Sequence, residues 1–161
     1  MSTSRTVRLL VLPLSLIVAL AIPELAAACS CVPVKPAKQL ERSDGAFVGR
    51  LLEVRRLDDG DAVYSTADPT DYVYRVGLVA KRGPGLRRGR RVTVRSVYGG
   101  SSCGLTNTRG RLYGLFVERR GGRWRGNACS TVSPGALRRL AARRSSQASE
   151  EASLQRSQRC G

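Results

Sequence analysis

A mainly β domain of five strands, closed by a C-terminal helix and stapled by disulfides, is the fold class this sequence predicts. Three observations predict it. Five apolar segments of strand character are separated by turns rich in glycine, aspartate or serine, five cysteines follow an opening with the layout of an export leader, and a Ser-Pro step opens a leucine- and alanine-striped segment near the end.

The leader comes first. Arg5 and Arg8 precede an uncharged run from Leu9 to Ile22, shorter than the roughly 20 apolar residues that a membrane-spanning helix requires. Ala26 and Ala28 then form a small-x-small cleavage signature, so residues 1–28 read as a signal peptide and the mature, secreted chain begins at Cys29. The alternative is lipid attachment at Cys29 on the outer face of a membrane, but the leucine usual three residues before a lipidated cysteine is replaced here by Ala26. What remains has the length of one ordinary domain.

Each strand has its own signal. Ala46–Leu57 is an apolar run ended by the acidic turn Asp58, Asp59, Gly60 and Asp61, and Asp71–Lys81 is rich in tyrosine and valine. In residues 90–98, Val92 and Val94 alternate with Thr93 and Arg95 at period two. The loop 99–110 leads into Arg111–Arg120, a buried-type strand, and Gly121-Gly122 turns the chain into the fifth segment, 123–130. Ser133 and Pro134 open a short basic helix with Leu137, Leu140, Ala141 and Ala142 as its apolar stripe. Residues 145–161 are polar and read as a loosely ordered tail.

Composition excludes several functions. The chain has 28 Lys and Arg against 12 Asp and Glu, a formal charge of +16, with dense clusters at Lys81–Arg91 and Arg119–Arg125. That charge favours weak, salt-sensitive attraction to anionic polymers. With two phenylalanines and one tryptophan in the whole chain, platforms for stacking bases are scarce, so sequence-specific nucleic-acid binding is not expected. The absence of histidine removes catalytic triads that depend on it, and no C-x-x-C pair offers a zinc site. Asp58, Asp59 and Asp61 share one turn instead of facing each other across a cleft. Neither a phosphate-binding glycine loop nor a dinucleotide fingerprint is present. An enzyme is not expected, nor a cofactor.

Four segments, in order, carry a family resemblance: the start "CSCVP", then "SDGAFVGRL", "SSCG" and "CSTVSP". Together they make residues 29–144 resemble the netrin-like domain of the tissue inhibitors of metalloproteinases, in a single-domain form of bacterial character. The resemblance implies a five-stranded barrel of the OB type. It also implies bridges Cys29–Cys103 and Cys31–Cys129, with Cys160 unpaired, since the family's further cysteine falls near Glu41. The family's second, cysteine-rich domain is absent.

The same resemblance assigns a function. In an extended segment, Cys29 and Cys31 point to one side and Ser30 to the other. Two bridges would hold the segment rigid while the free amine and carbonyl of Cys29 replace the exchangeable water on the catalytic zinc of an endopeptidase. An unperturbed α-amine titrates near 7.7 to 8.0, low enough for zinc to displace its proton. Ser30 would enter the protease's specificity pocket, with Val32, Ser101 and Ser102 as neighbouring contacts. The alternative for the same fold is a non-inhibitory extracellular module that binds a protein or an anionic cell-surface polymer.

Overall fold

A closed barrel follows from one strand pairing on both edges. The computed structural model describes residues 31–57, 68–98 and 103–159, and its strands are β1 (Gly45–Arg56), β2 (Pro69–Lys81), β3 (Arg91–Val97), β4 (Leu112–Arg120), β5 (Arg123–Arg125) and the short β6 (Thr131–Val132). The order β1-β2-β3-β5-β4 is closed by direct pairing of β4 with β1, and among these described strands β3 and β5 form the parallel pair. This is the OB-type barrel that was expected, with β6 added beside β4. The leader and the turn at Asp58, Asp59 and Asp61 lie outside the described residues.

β1 closes the barrel because the ribbon it forms with β2 can bend, the unpaired extra residues being Ala80 and Gly77 on β2 and Leu52 on β1. Its pairing with β2 slips at Ala46/Phe47, Val48/Gly49 and Leu51/Glu53, and each bulge adds local twist and curvature. The alternation along β1 separates two apolar layers. Phe47 and Leu51 face the barrel interior with Tyr72, Tyr74, Val76, Val92, Val94, Leu105, Leu115, Val117 and Trp124. Ala46 and Val48 face outward, where they pack with Phe116 against Leu40 and Leu137 from the two helices.

Glycine is required where the barrel meets Trp124. A methyl group on Gly83 would stand 2.6 Å from Cη2 of the indole and 3.0 Å from the carbonyl of Asp44, and one on Gly45 would meet the same ring at 3.1 Å. Both backbones thus lie against the indole itself, and Arg119 stacks over Trp124 at 5.1 Å.

The helices differ from the sequence reading. Helix α1 (Pro36–Arg42) was not expected, since seven residues with one buried side chain, Leu40, carry little periodic signal. Pro36 starts it, and its C-terminal carbonyls are satisfied from across the fold: Lys81 Nζ donates to the carbonyls of Leu40, Glu41 and Ser43. Helix α2 (Pro134–Arg159) begins as expected, with Ser133 Oγ accepting from the backbone N–H of Ala136. It does not stop near Arg144, however; residues 145–159, expected as a loose tail, continue the helix. No glycine or proline interrupts that stretch, and serine hydroxyls bond back to preceding carbonyls, Ser145 to Ala142 and Ser149 to Ser145. Among the described residues, no helix is long and apolar enough to cross a membrane.

Candidate functional site

Among the described residues, Cys31, Cys103 and Cys129 gather at one rim of the barrel. Cys31 and Cys129 form a disulfide across a sequence separation of 98, the pairing that the resemblance implied. Cys103 is also disulfide-bonded; its implied partner Cys29 lies outside the described residues, as do Ser30, Ser101, Ser102 and Cys160. Val32 is described and projects into solvent, with 78 % of its surface exposed.

Local chemistry shapes the turn that carries Cys129. Asn127 precedes a one-turn 3-10 helix at Ala128–Ser130, and its side-chain oxygen accepts from the N–H of Cys129. Ser130 Oγ accepts in return from the N–H of Asn127, so the two residues close a capping box. Gln39 on α1 donates to the carbonyl of Cys129 at 2.7 Å. The Cys129 turn is therefore fixed to α1 as well as to Cys31.

The loop bearing Cys103 is fixed from below by tyrosines. Tyr72 Oη donates to the carbonyl of Leu105, Tyr74 Oη accepts from Asn107 at 2.8 Å, and Tyr113 Oη accepts from the N–H of Thr108 at 2.8 Å. Ser96 Oγ takes the N–H of Leu105, whose side chain is buried within the barrel. Burial pushes the phenols of Tyr72 and Tyr74 up from their usual range, so both remain hydrogen-bonding neutral groups under ordinary conditions.

One backbone hydrogen bond joins the two cysteine segments: the N–H of Ala128 donates to the carbonyl of Cys103 at 2.8 Å. Cys103 itself sits at φ 58°, in the left-handed region that non-glycine residues seldom occupy. Its disulfide and this hydrogen bond both act on a residue held in that conformation. The N-terminal segment and the Cys103 loop, separated by some seventy residues in the chain, are thereby attached to the same turn.

Two grooves flank this rim. One, of about 350 Å³, runs between Cys31–Val34 and the 128–131 turn; the other, of about 500 Å³, is lined by Cys103, Asn127, Arg95, Arg120 and Arg125 with Glu118. In the second, Arg95 is already engaged by Asp71 at 2.8 Å and Arg120 by Glu118 at 2.9 Å. Among the described residues, no cluster of three or more histidine, cysteine or acidic side chains could hold a metal ion.

Of the described rim residues, sequence reasoning named Cys31, Val32, Cys103 and Cys129 but missed Gln39, Ser96, Asn127, Ser130 and the three tyrosines. Asn127 had a legible signal, an N-cap type three residues before Ser130. Gln39 and the tyrosines had none, because their partners are set by the fold.

Fold and rim together define a small OB-type barrel whose N-terminal segment is crosslinked to the turn after β5. Neither a family model nor a curated protein matches the chain.

Proposed function

We propose that this protein inhibits zinc endopeptidases, with the free amine and carbonyl of Cys29 as a bidentate ligand for the protease's catalytic zinc. The observation that carries this reading is the Cys31–Cys129 bridge, which fixes the chain two residues after the proposed ligand. Ala128, beside Cys129, also bonds to Cys103. A short segment tethered in this way loses little further entropy on binding, and rigidity of that kind converts contact into affinity.

The chemistry suits a residue created by processing. An α-amine bound to zinc must be unprotonated, and its ordinary pKa near neutrality makes that inexpensive. Ser30 would face the pocket of the protease and set preference among targets, while Val32, already exposed, would extend the contact along the cleft. Ser101 and Ser102 would border it from the Cys103 loop.

The test compares protein beginning at Cys29 with protein carrying one extra residue ahead of it, against a panel of zinc endopeptidases. The expected result is inhibition by the first form and its collapse in the second, with equal thermal midpoints. If the first form inhibits none of the panel, or both inhibit equally, chelation by Cys29 is wrong.

A further inference from the structure

Three exposed arginines stand side by side on the outer wall of the barrel. In the sheet register Arg50 of β1 lies opposite Arg75 of β2, and Arg75 lies opposite Arg91 of β3. All three are exposed and are followed by buried, inward-facing neighbours Leu51, Val76 and Val92, so their side chains share the outer face. Neighbouring strands are about 4.8 Å apart, which places three like charges across roughly 10 Å of wall.

This arrangement opposes folding unless something else uses it, because like charges directly opposite in a sheet are destabilising. Arg50 Nη1 donates to the carbonyl of Gly110, and no carboxylate among the described residues forms an ion pair with any of the three. Glu53 feels the charge of Arg91, but its hydrogen bond to Arg55 dominates its environment. The row begins where the helical cover ends: outward positions Ala46 and Val48 of β1 and Leu78 and Ala80 of β2 lie in the layer under the helices, and the arginines follow beyond them. The loop before β3 adds charge at the same place, since the N–H of Val76 bonds to the carbonyl of Arg90 and that of Gly89 to Val76.

We propose that the row Arg50, Arg75 and Arg91 is a docking track for a linear polymer of phosphate groups. Guanidinium forks match phosphate oxygens in pairs, and a straight row of them matches a chain carrying repeated charges. Bases are not part of the partner. Tyr98, the exposed aromatic side chain among the described residues, is covered by Arg56 at 3.5 Å, which leaves no stacking platform beside the row. At Arg91 the track crosses the start of β3, roughly 20 Å along six residues of strand from the end of β3 that leads to Cys103, while at Arg50 it meets the far end of the Cys103 loop at Gly110. The proposal does not depend on protease inhibition.

The experiment titrates purified protein with fluorescently labelled linear polyphosphate at low and moderate salt. The variant R50T/R75T/R91T keeps strand-compatible side chains in place; the control R138Q/R143Q/R144Q removes the same charge from exposed positions on α2. The row variant should lose about ten-fold or more in affinity and flatten the salt slope by about 2, at roughly 0.7 per contact for a flexible chain, while the control loses less than about three-fold. Its thermal midpoint should hold or rise, as removal of opposed like charges requires. If the triple variant fails to fold, R75T alone, at the centre of the row, should still weaken binding by about three-fold. Equal losses in the row variant and the control would reduce the effect to net charge and overturn the proposal. Tighter binding of oligothymidine than of length-matched polyphosphate would overturn it by showing that bases contribute, and tighter binding of dextran sulfate would overturn the phosphate assignment.

Discussion

Replacing Cys31 and Cys129 together by serine removes the crosslink and leaves no free thiol at either position. The bridge spans 98 residues, and for a loop of that size the chain-entropy account gives about 4.7 kcal/mol of stabilisation. The native state loses little in the exchange, for Cys31 is exposed and Cys129 only half-buried, so both serine hydroxyls reach water. The Gln39 bond to the carbonyl of residue 129 uses backbone and survives the substitution. A loss of about 3 to 5 kcal/mol is therefore expected. With a urea slope of roughly 2 kcal/mol per molar for a domain of this size, the midpoint of unfolding should drop by about 2 M. Released from the turn, residues 31–35 keep one half-buried side chain, Val34, so proteolysis of the folded variant should cut there first. Under the proposed function, inhibition should fall by more than the folded fraction explains. A stability loss below about 1 kcal/mol, with no new cleavage before Pro36, would refute the claim that this bridge fixes the segment.

Leu137 is the one fully buried residue of α2, so Leu137→Ala should destabilise by about 3 to 5 kcal/mol in chemical denaturation; its Cβ already approaches the methyl position of Gly114 at 3.3 Å, which prevents the helix from sinking into the cavity. Gly83→Ala drives a methyl into Trp124 and should cost about 1 to 3 kcal/mol, with a shift in the fluorescence of this single tryptophan that an unstrained site would not show. Burial raises the phenols of Tyr72 and Tyr74 above their unfolded value, so stability should be fully present below pH about 10 and be lost as pH rises through the folded-state values. Ultraviolet titration should then show these two phenols ionising only with unfolding; reversible ionisation of all five tyrosines near pH 10 in the folded protein would contradict the buried assignment.

The alternation of apolar with polar residues located β1 to β4 within a residue or two, because inward and outward positions in a half-buried strand differ in hydrophobicity whatever the strand pairs with; the fifth segment, expected over 123–130, is strand only at Arg123–Arg125 and then turns through a 3-10 helix at Ala128–Ser130. Ser133-Pro134 marked the start of α2 for an equally local reason, the chemistry of a helix N-terminus. The end of α2 was not legible: a polar stretch rich in serine, glutamate and glutamine has the composition of a tail, and only its unbroken backbone ladder makes it helix. The short α1 depended on Lys81 and Gln39, partners forty and ninety residues distant from the groups they hold. At the rim, the resemblance supplied the Cys31–Cys129 pairing, whereas the tyrosine hydroxyls beneath the Cys103 loop belong to strands whose interior faces meet only after closure. The arginine row is the sharpest case. Nothing in the sequence relates Arg50 to Arg75 or Arg91, since register across β1, β2 and β3 depends on bulges, and a slip of one residue would turn an outward side chain into the core. Side-chain periodicity is a local property of the backbone and can be read along the chain, while register and closure are set by which surfaces bury each other, which no single segment contains.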